Sequence, residues 1–268
     1  MNPLIAALLG IVEGITEYLP VSSTGHLIVV SRVLGLEGEG VDAFDVVIQL
    51  GAILAVLVHY RSFLGERAAG LLRRDPKSLS LLLALAVGFA PTAVFGLLLR
   101  KKIKALLFHP GPIAAALVVG GLVMLAVERW RAKSGAPGLE GVEHVTPKRA
   151  FAIGVGQVFS MWPGSSRSMC TIVAGQLSGL STATAAEFSF LLGLPTLGGA
   201  TVVEAIKSRA ALATLGVTNL AIGLVVSFLV AWAVVAVFLA YLKRRGLAPF
   251  ALYRLVFGAV IFLVMSRS

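Results

Sequence analysis

Leu79 to Leu99 is a run of 21 residues without a charge, and Ala210 to Leu242 is a run of 33. As a helix the shorter run extends about 31 Å, enough to cross the hydrocarbon core of a bilayer. Composition agrees: 57% of the residues are hydrophobic and 13% charged, where soluble domains carry about 25% charged residues. The chain reads as an all-α polytopic membrane protein, a single integral membrane domain over 1–268.

Segments long enough to span fall at about 43–60, 79–99, 112–128, 183–206, 213–242 and 250–266, six in all. Residues 3–36 and 150–180 differ. Each is two short apolar pieces broken by a polar turn rich in Pro, Gly and Ser, too short in either half to cross. Each therefore reads as a re-entrant helical hairpin. Irregular backbone at membrane depth is tolerated only where it is buried in protein or lines a wet cavity. No basic residue precedes Arg32, so the first apolar segment is expected to be structure and not a cleaved leader. Cys170 is the single cysteine; it falls in an apolar run and reads as a packed small residue.

Under this topology thirteen basic residues lie in loops 61–77, 129–149 and 243–245. Eight lie on the other side: Arg32, the Arg100–Lys104 group, Lys207, Arg209 and Arg267. The excess of Lys and Arg on cytoplasmic loops then puts both termini outside, with 129–149 a cytoplasmic linker. The Arg100–Lys104 loop runs against that assignment. The net charge of +10 reads as topology signal and contact with anionic phospholipid, and no nucleic-acid partner is expected.

The two halves repeat. Leu19-Pro-Val-Ser-Ser-Thr-Gly25 aligns with Trp162-Pro-Gly-Ser-Ser-Arg-Ser168 at an offset of 143, and Ala43-Phe-Asp-Val-Val-Ile-Gln-Leu50 with Glu187-Phe-Ser-Phe-Leu-Leu-Gly-Leu194 at 144. Repeat 1 covers about 1–128 and repeat 2 about 150–268. One hairpin enters from outside and the other from inside. This is an inverted repeat whose polar breaks should meet near the midplane.

Those breaks hold the candidate site. Glu13 and Glu17, four apart, share a helix face. Their mutual repulsion calls for a shared proton or a cation, most simply Mg²⁺ or Ca²⁺ bridging to a phosphate. Ser22, Ser23 and Thr24 follow Pro20; at least one should cap the next helix, and the others, with exposed backbone N–H groups, suit phosphate oxygens. His26 lies one turn into that helix. In the second break Gly164, Ser165, Ser166 and Ser168 surround Arg167, whose planar fork matches a phosphate. Gln49 reaches toward the site from the next helix. Glu187 and Glu204 are weaker candidates, Glu204 near a helix end, and Arg254 reads as a snorkelling anchor. Gly10 and Gly14, also four apart, suggest close helix packing. The set points to phosphoryl transfer on a lipid, which needs positioning and charge neutralisation above all.

At these residues the chain resembles the bacterial undecaprenyl-diphosphate phosphatase family (BacA/UppP type). Glu13-Gly-Ile-Thr-Glu-Tyr-Leu-Pro-Val-Ser-Ser-Thr-Gly-His26 matches its first signature, and Pro163-Gly-Ser-Ser-Arg-Ser168 its second. Phe44–Gly51 and Glu187–Leu192 are similar to further family segments, so the resemblance covers about 5–258. It implies hydrolysis of a polyprenyl diphosphate lipid to monophosphate and inorganic phosphate, recycling the carrier for peptidoglycan synthesis. A divalent cation, bacitracin resistance and a bacterial inner-membrane location with the site facing the extracytoplasmic side are also implied. A homodimer is a further expectation. Three attacking groups fit the spacing: Ser23 activated by His26 or Glu17, His26 itself, or a water activated by Glu17; Ser23 is placed first. The rival is a lipid flippase or transporter, for which inverted repeats and broken helices serve equally well.

Overall fold

A computed structural model describes residues 1–135 and 137–265. Arg267 and the side chains of Arg100, Lys101 and Lys104, which enter the charge comparison, lie outside the described residues. The described chain is helical, and its one β-type pairing is an isolated bridge between Leu139 and Leu180.

The first half runs α1 (Pro3–Thr16), α2 (Ser23–Val33), α3 (Glu39–Val47), α4 (Gln49–His59), α5 (Arg61–Leu72), α6 (Pro76–Leu107) and α7 (Pro110–Ser134). The second runs α8 (Pro147–Val158), α9 (Arg167–Leu177), α10 (Thr182–Lys207), α11 (Arg209–Ala213), α12 (Val217–Leu242) and α13 (Ala248–Met265). Five stretches are long and apolar enough to cross a membrane: Glu39–His59, Pro76–Leu99, Gly111–Ser134, Thr182–Lys207 and Val217–Leu242. The sixth expected span is α13, a shorter helix of 18 residues. The chain is a multi-pass membrane protein.

The expected hairpins are present as α1–α2 and α8–α9. Their packing is reciprocal. In the first, α1 lies along α12 of the other half; in the second, α8 lies along α6. Each contact is made through glycine. A Cβ at Gly10 would sit 2.7 Å from the Gly223 carbonyl, and one at Gly14 2.8 Å from that of Ser227. Gly154 meets the backbone of Gly88 in the same way. Helices that lack side chains at the crossing bring their backbones together, and van der Waals packing then replaces the hydrophobic drive that lipid does not supply.

The tips of the hairpins meet inside the bundle, and Arg254 of α13 holds them there. Its guanidinium donates to Pro20 O (3.2 Å) in the first tip and Gly164 O (3.0 Å) in the second. It also donates to Ala116 O (3.0 Å) and Leu117 O (3.3 Å) on α7. The side chain is 0% exposed. This corrects the snorkelling expectation: Arg254 points inward, because the two broken turns leave carbonyls that no helix satisfies. Gly164 can make this approach as a glycine. Its φ is +94°, and a Cβ would stand 2.5 Å from the Ile113 carbonyl.

Two outcomes are expected. Arg254→Met strands the Pro20 and Gly164 carbonyls, at about 1–3 kcal/mol for each buried group left unpaired. Thermal unfolding in detergent should fall by at least about 4 °C, and an unchanged midpoint would show that Arg254 is not the clamp. Gly14→Val overpacks the α1–α12 crossing and should cost about 1–3 kcal/mol. Gly198→Ala, where nothing lies within 4 Å, serves as the neutral control in the same melts.

Candidate active site

Both tips use one local device. Ser22 precedes α2 with φ 75° and ψ 94°, and its hydroxyl accepts from Gly25 N. Ser166 precedes α9 with φ 70° and ψ 119°, and its hydroxyl accepts from Met169 N. These are sparsely populated conformations for residues with a Cβ, and such strain concentrates at functional sites. The equivalence fixes the register of the repeat. Ser22 matches Ser166, an offset of 144, and not Ser165 as the turn alignment at 143 suggests. The second turn is one residue longer, and Arg167 therefore stands where Ser23 stands in the first.

Ser23 and Arg167 converge on Glu17. The Ser23 hydroxyl donates to Glu17 Oε2 at 2.7 Å, and Arg167 Nη2 donates to Glu17 Oε1 at 3.0 Å. Glu17 and Ser23 are buried, and the side chains of Arg167 and Glu17 are 9% and 5% exposed. Arg167 is anchored from behind. Its Nη1 donates to Ser189 O (2.9 Å) and Ser189 Oγ (3.1 Å), and its guanidinium lies 5.4 Å from the centre of the Tyr18 ring. Arg167 Nε has no partner, leaving one charged donor free.

A cavity of about 230 Å³ opens beside this triad. Glu17, Ser22, Ser23, Thr24, Gln49, Gly164, Ser166 and Arg167 line it, as the sequence suggested. Thr92, Gln157, Ser160 and Thr196 also line it and were missed. Thr92 and Thr196 directly follow Pro91 and Pro195, the two prolines inside long helices. A proline kinks its helix by leaving the carbonyl four residues back without a donor, here Leu191 O, and Thr196 Oγ1 bonds back to the next carbonyl, Leu192 O, at 2.8 Å. That Pro-Thr pairing was the available signal. Gln157 donates to Thr92 Oγ1 at 2.9 Å, joining α8 to α6 across the cavity.

Four expected site residues lie behind the wall. Ser168 is fully buried and donates to Leu19 O at 2.9 Å, a second tie between the tips. Ser165 is buried within its own turn. Glu13 is 0% exposed, and neither carboxylate oxygen has a partner. His26 turns toward α13. Its Nδ1 lies 2.7 Å from Ser22 O, and its Nε2 2.6 Å from the Tyr253 hydroxyl. Because a carbonyl only accepts, Nδ1 carries the proton. The ring also stacks on Phe257, centroids 4.1 Å apart.

The ends of α2 and α9 abutting the cavity are both N-termini. The amides of Ser23, Thr24, Arg167 and Ser168 have no acceptor among the described residues. Two helix N-termini with free amides and a guanidinium make an anion site. A carboxylate holding a serine hydroxyl beside them supplies a base to an attacking oxygen.

Comparison with known proteins agrees with this chemistry. The family described as Bacitracin resistance protein BacA matches residues 6–260. The undecaprenyl-diphosphatase of Sorangium cellulosum is 58% identical over 258 residues, 96% of this chain and 84% of that protein. That of Sphingopyxis alaskensis is 48% identical, over 94% of this chain and 93% of its own length. That of Deinococcus radiodurans is 44% identical, over 100% and 97%. With both hairpin tips, the cavity and the Arg254 helix inside the matched span, the chain belongs to the BacA family.

Proposed function

We propose that the protein hydrolyses undecaprenyl diphosphate to undecaprenyl phosphate and inorganic phosphate, recycling the lipid carrier for cell-wall synthesis and conferring bacitracin resistance. The observation that carries the mechanism is the Ser23–Glu17–Arg167 contact, in which a hydroxyl, its base and a cation from opposite hairpins meet at the cavity. Ser23 Oγ attacks the terminal phosphorus and passes its proton to Glu17 Oε2, to which it already donates. The bond from that phosphorus to the bridging oxygen breaks, and undecaprenyl phosphate leaves. Glu17 gives its proton to the departing phosphate oxygen; it then takes one from the water that displaces Ser23 from the phosphoserine and returns it to Ser23 Oγ, releasing inorganic phosphate. The Arg167 guanidinium and the free amides at the starts of α2 and α9 hold the phosphate oxygens in place. Positioning and charge stabilisation of this kind are most of what phosphoryl transfer asks of a protein.

Glu13 and Glu17 suit a divalent cation. A fully buried carboxylate with two unpartnered oxygens requires protons or a metal, and Glu17 is one turn on. Among the described residues no group of three or more His, Cys, Asp and Glu is placed to hold a metal. Waters, hydroxyls or phosphate oxygens would complete the shell, as Mg²⁺ favours. When bound, the ion neutralises charge on the phosphate oxygens. The site is proposed to face the extracytoplasmic side of the bacterial inner membrane. No observation favours the transport reading over hydrolysis.

Phosphate release from undecaprenyl diphosphate by the purified protein tests the reading. Glu17→Gln, Ser23→Ala and Arg167→Ala should each lower kcat by at least about 100-fold. His26→Ala, outside the cavity, should lose about tenfold or less. Label trapped on His26 in place of Ser23 would overturn the assignment. For the metal, chelation should abolish turnover, and Mg²⁺ should raise the melting temperature of wild type but not of Glu13→Gln. An equal shift in both proteins would remove Glu13 from the metal site.

A further inference from the structure

A second and larger cavity, of about 700 Å³, lies where α4, α10 and α12 come together. It is separate from the catalytic one. On α4, Gln49 lines the first cavity and His59 the second; ten residues of helix put them about 15 Å apart. Its polar groups are Tyr60, Glu187, Tyr241, Lys243 and Arg244, with His59 at the rim. Glu187 is two residues from Ser189, which anchors Arg167, so helical periodicity turns it away from the catalytic site.

These groups lack partners. The Tyr60 hydroxyl is buried with no hydrogen bond. The Glu187, Lys243 and Arg244 side chains form no hydrogen bond or ion pair with the described residues. Lys243 is within electrostatic reach of Glu187, as is Glu143. Two cations and a carboxylate therefore face one space without neutralising one another in direct contact, and a buried phenol waits there for an acceptor. Lys243 and Arg244 are exposed and Glu187 is half-buried, so these charges are open to a ligand, and one with both signs of charge would pair with all of them.

The cavity also reaches the exposed outer face of α12. Ala236 and Ala240, one turn apart on α12, line it and are exposed, and the neighbouring Val237 is 69% exposed on the same outer side. Two methyl groups there leave room beside the cavity on the apolar outer face of α12. An apolar face beside a charged cavity suits an alkyl chain, and a free phosphate has no use for it.

We propose that this cavity is a headgroup site for a glycerophospholipid of the ethanolamine class. The phosphate lies against Lys243, Arg244 and the Tyr60 hydroxyl, the primary ammonium against Glu187, and an acyl chain along Ala236 and Ala240. A choline headgroup has no N–H to give Glu187, and an anionic glycerol headgroup brings no cation to that carboxylate. The preference should therefore be for the primary amine.

Native mass spectrometry of the delipidated full-length protein tests this, titrating dioleoyl phosphatidylethanolamine, dioleoyl phosphatidylcholine, dioleoyl phosphatidylglycerol and soluble glycerophosphoethanolamine. Wild type should retain one ethanolamine lipid at least fivefold more tightly than either other lipid, and the soluble headgroup should not displace it at equal concentration. Glu187→Gln should abolish the ethanolamine-over-choline preference. Lys243→Gln with Arg244→Gln should weaken both lipids at least fivefold. Diphosphate hydrolysis within twofold of wild type would show that the variants are folded. Equal retention of the three lipids by wild type would overturn the proposal without any variant. So would an unchanged preference in Glu187→Gln, or displacement by the soluble headgroup as effective as by the lipid.

Discussion

A helix that breaks inside a membrane leaves carbonyls and amides that neither water nor lipid can satisfy, and this constraint organises the molecule. Two hairpins place two such breaks side by side. The acceptors are answered by Arg254, which binds one carbonyl from each tip and two from α7. A neutral donor would make fewer bonds from one position; a guanidinium offers five N–H groups in a fixed fork. Burying a charge is expensive unless its donors are used, and four bonds to carbonyl oxygens use them. The remaining amides, at the starts of α2 and α9, are left without acceptors beside the cavity. The same breaks thus yield a clamp on one side and an anion site on the other.

The Glu17–Arg167 pair shows how structure and chemistry share residues. As an ion pair at 3.0 Å it locks the first hairpin to the second. Were Arg167 held by Glu17 alone, a diphosphate would have to break that lock in order to bind. Ser189 prevents this by holding Nη1 through its carbonyl and hydroxyl, and Thr171 in turn bonds the Ser189 hydroxyl at 2.6 Å. Arg167 is therefore positioned from α10 with Nε still free. Glu17 can accept the proton of Ser23 on one oxygen while Arg167 stabilises the other.

Much of this was legible in the sequence, for a physical reason. Polar residues at membrane depth are few, and each carries a cost that needs an explanation, so Glu17, Ser23 and Arg167 stood out before any geometry. The hairpins and most spans followed from the lengths of the uncharged runs. What the sequence did not disclose was direction. His26 and Arg254 were each visible as an isolated polar group, but nothing in their spacing showed that His26 turns toward Tyr253 or that Arg254 turns toward the tips. Arg254 was read as an anchor because of its nearness to a segment boundary; it is the one charge among apolar neighbours over Leu247–Met265, which was the better signal. Thr92, Gln157 and Thr196 escaped notice because a threonine or glutamine in an apolar helix is commonplace, and only the folded chain brings those of α6, α8 and α10 to one cavity.

The strained serines explain how a repeat produces an asymmetric site. Ser22 and Ser166 hold positive φ at a cost of about 1–3 kcal/mol each, although glycine would adopt the same angle freely. Each keeps a hydroxyl that caps the helix it introduces, so what is retained is the cap and the chain direction together. That backbone device is the same in both hairpins, and it delivers the first residue of the next helix to the cavity wall in both. In the first hairpin the residue delivered is Ser23, and in the second it is Arg167. The two tips thus offer two equivalent slots beside one cavity. With a hydroxyl in one and a guanidinium in the other, a symmetric scaffold presents a serine and a cation to opposite oxygens of Glu17.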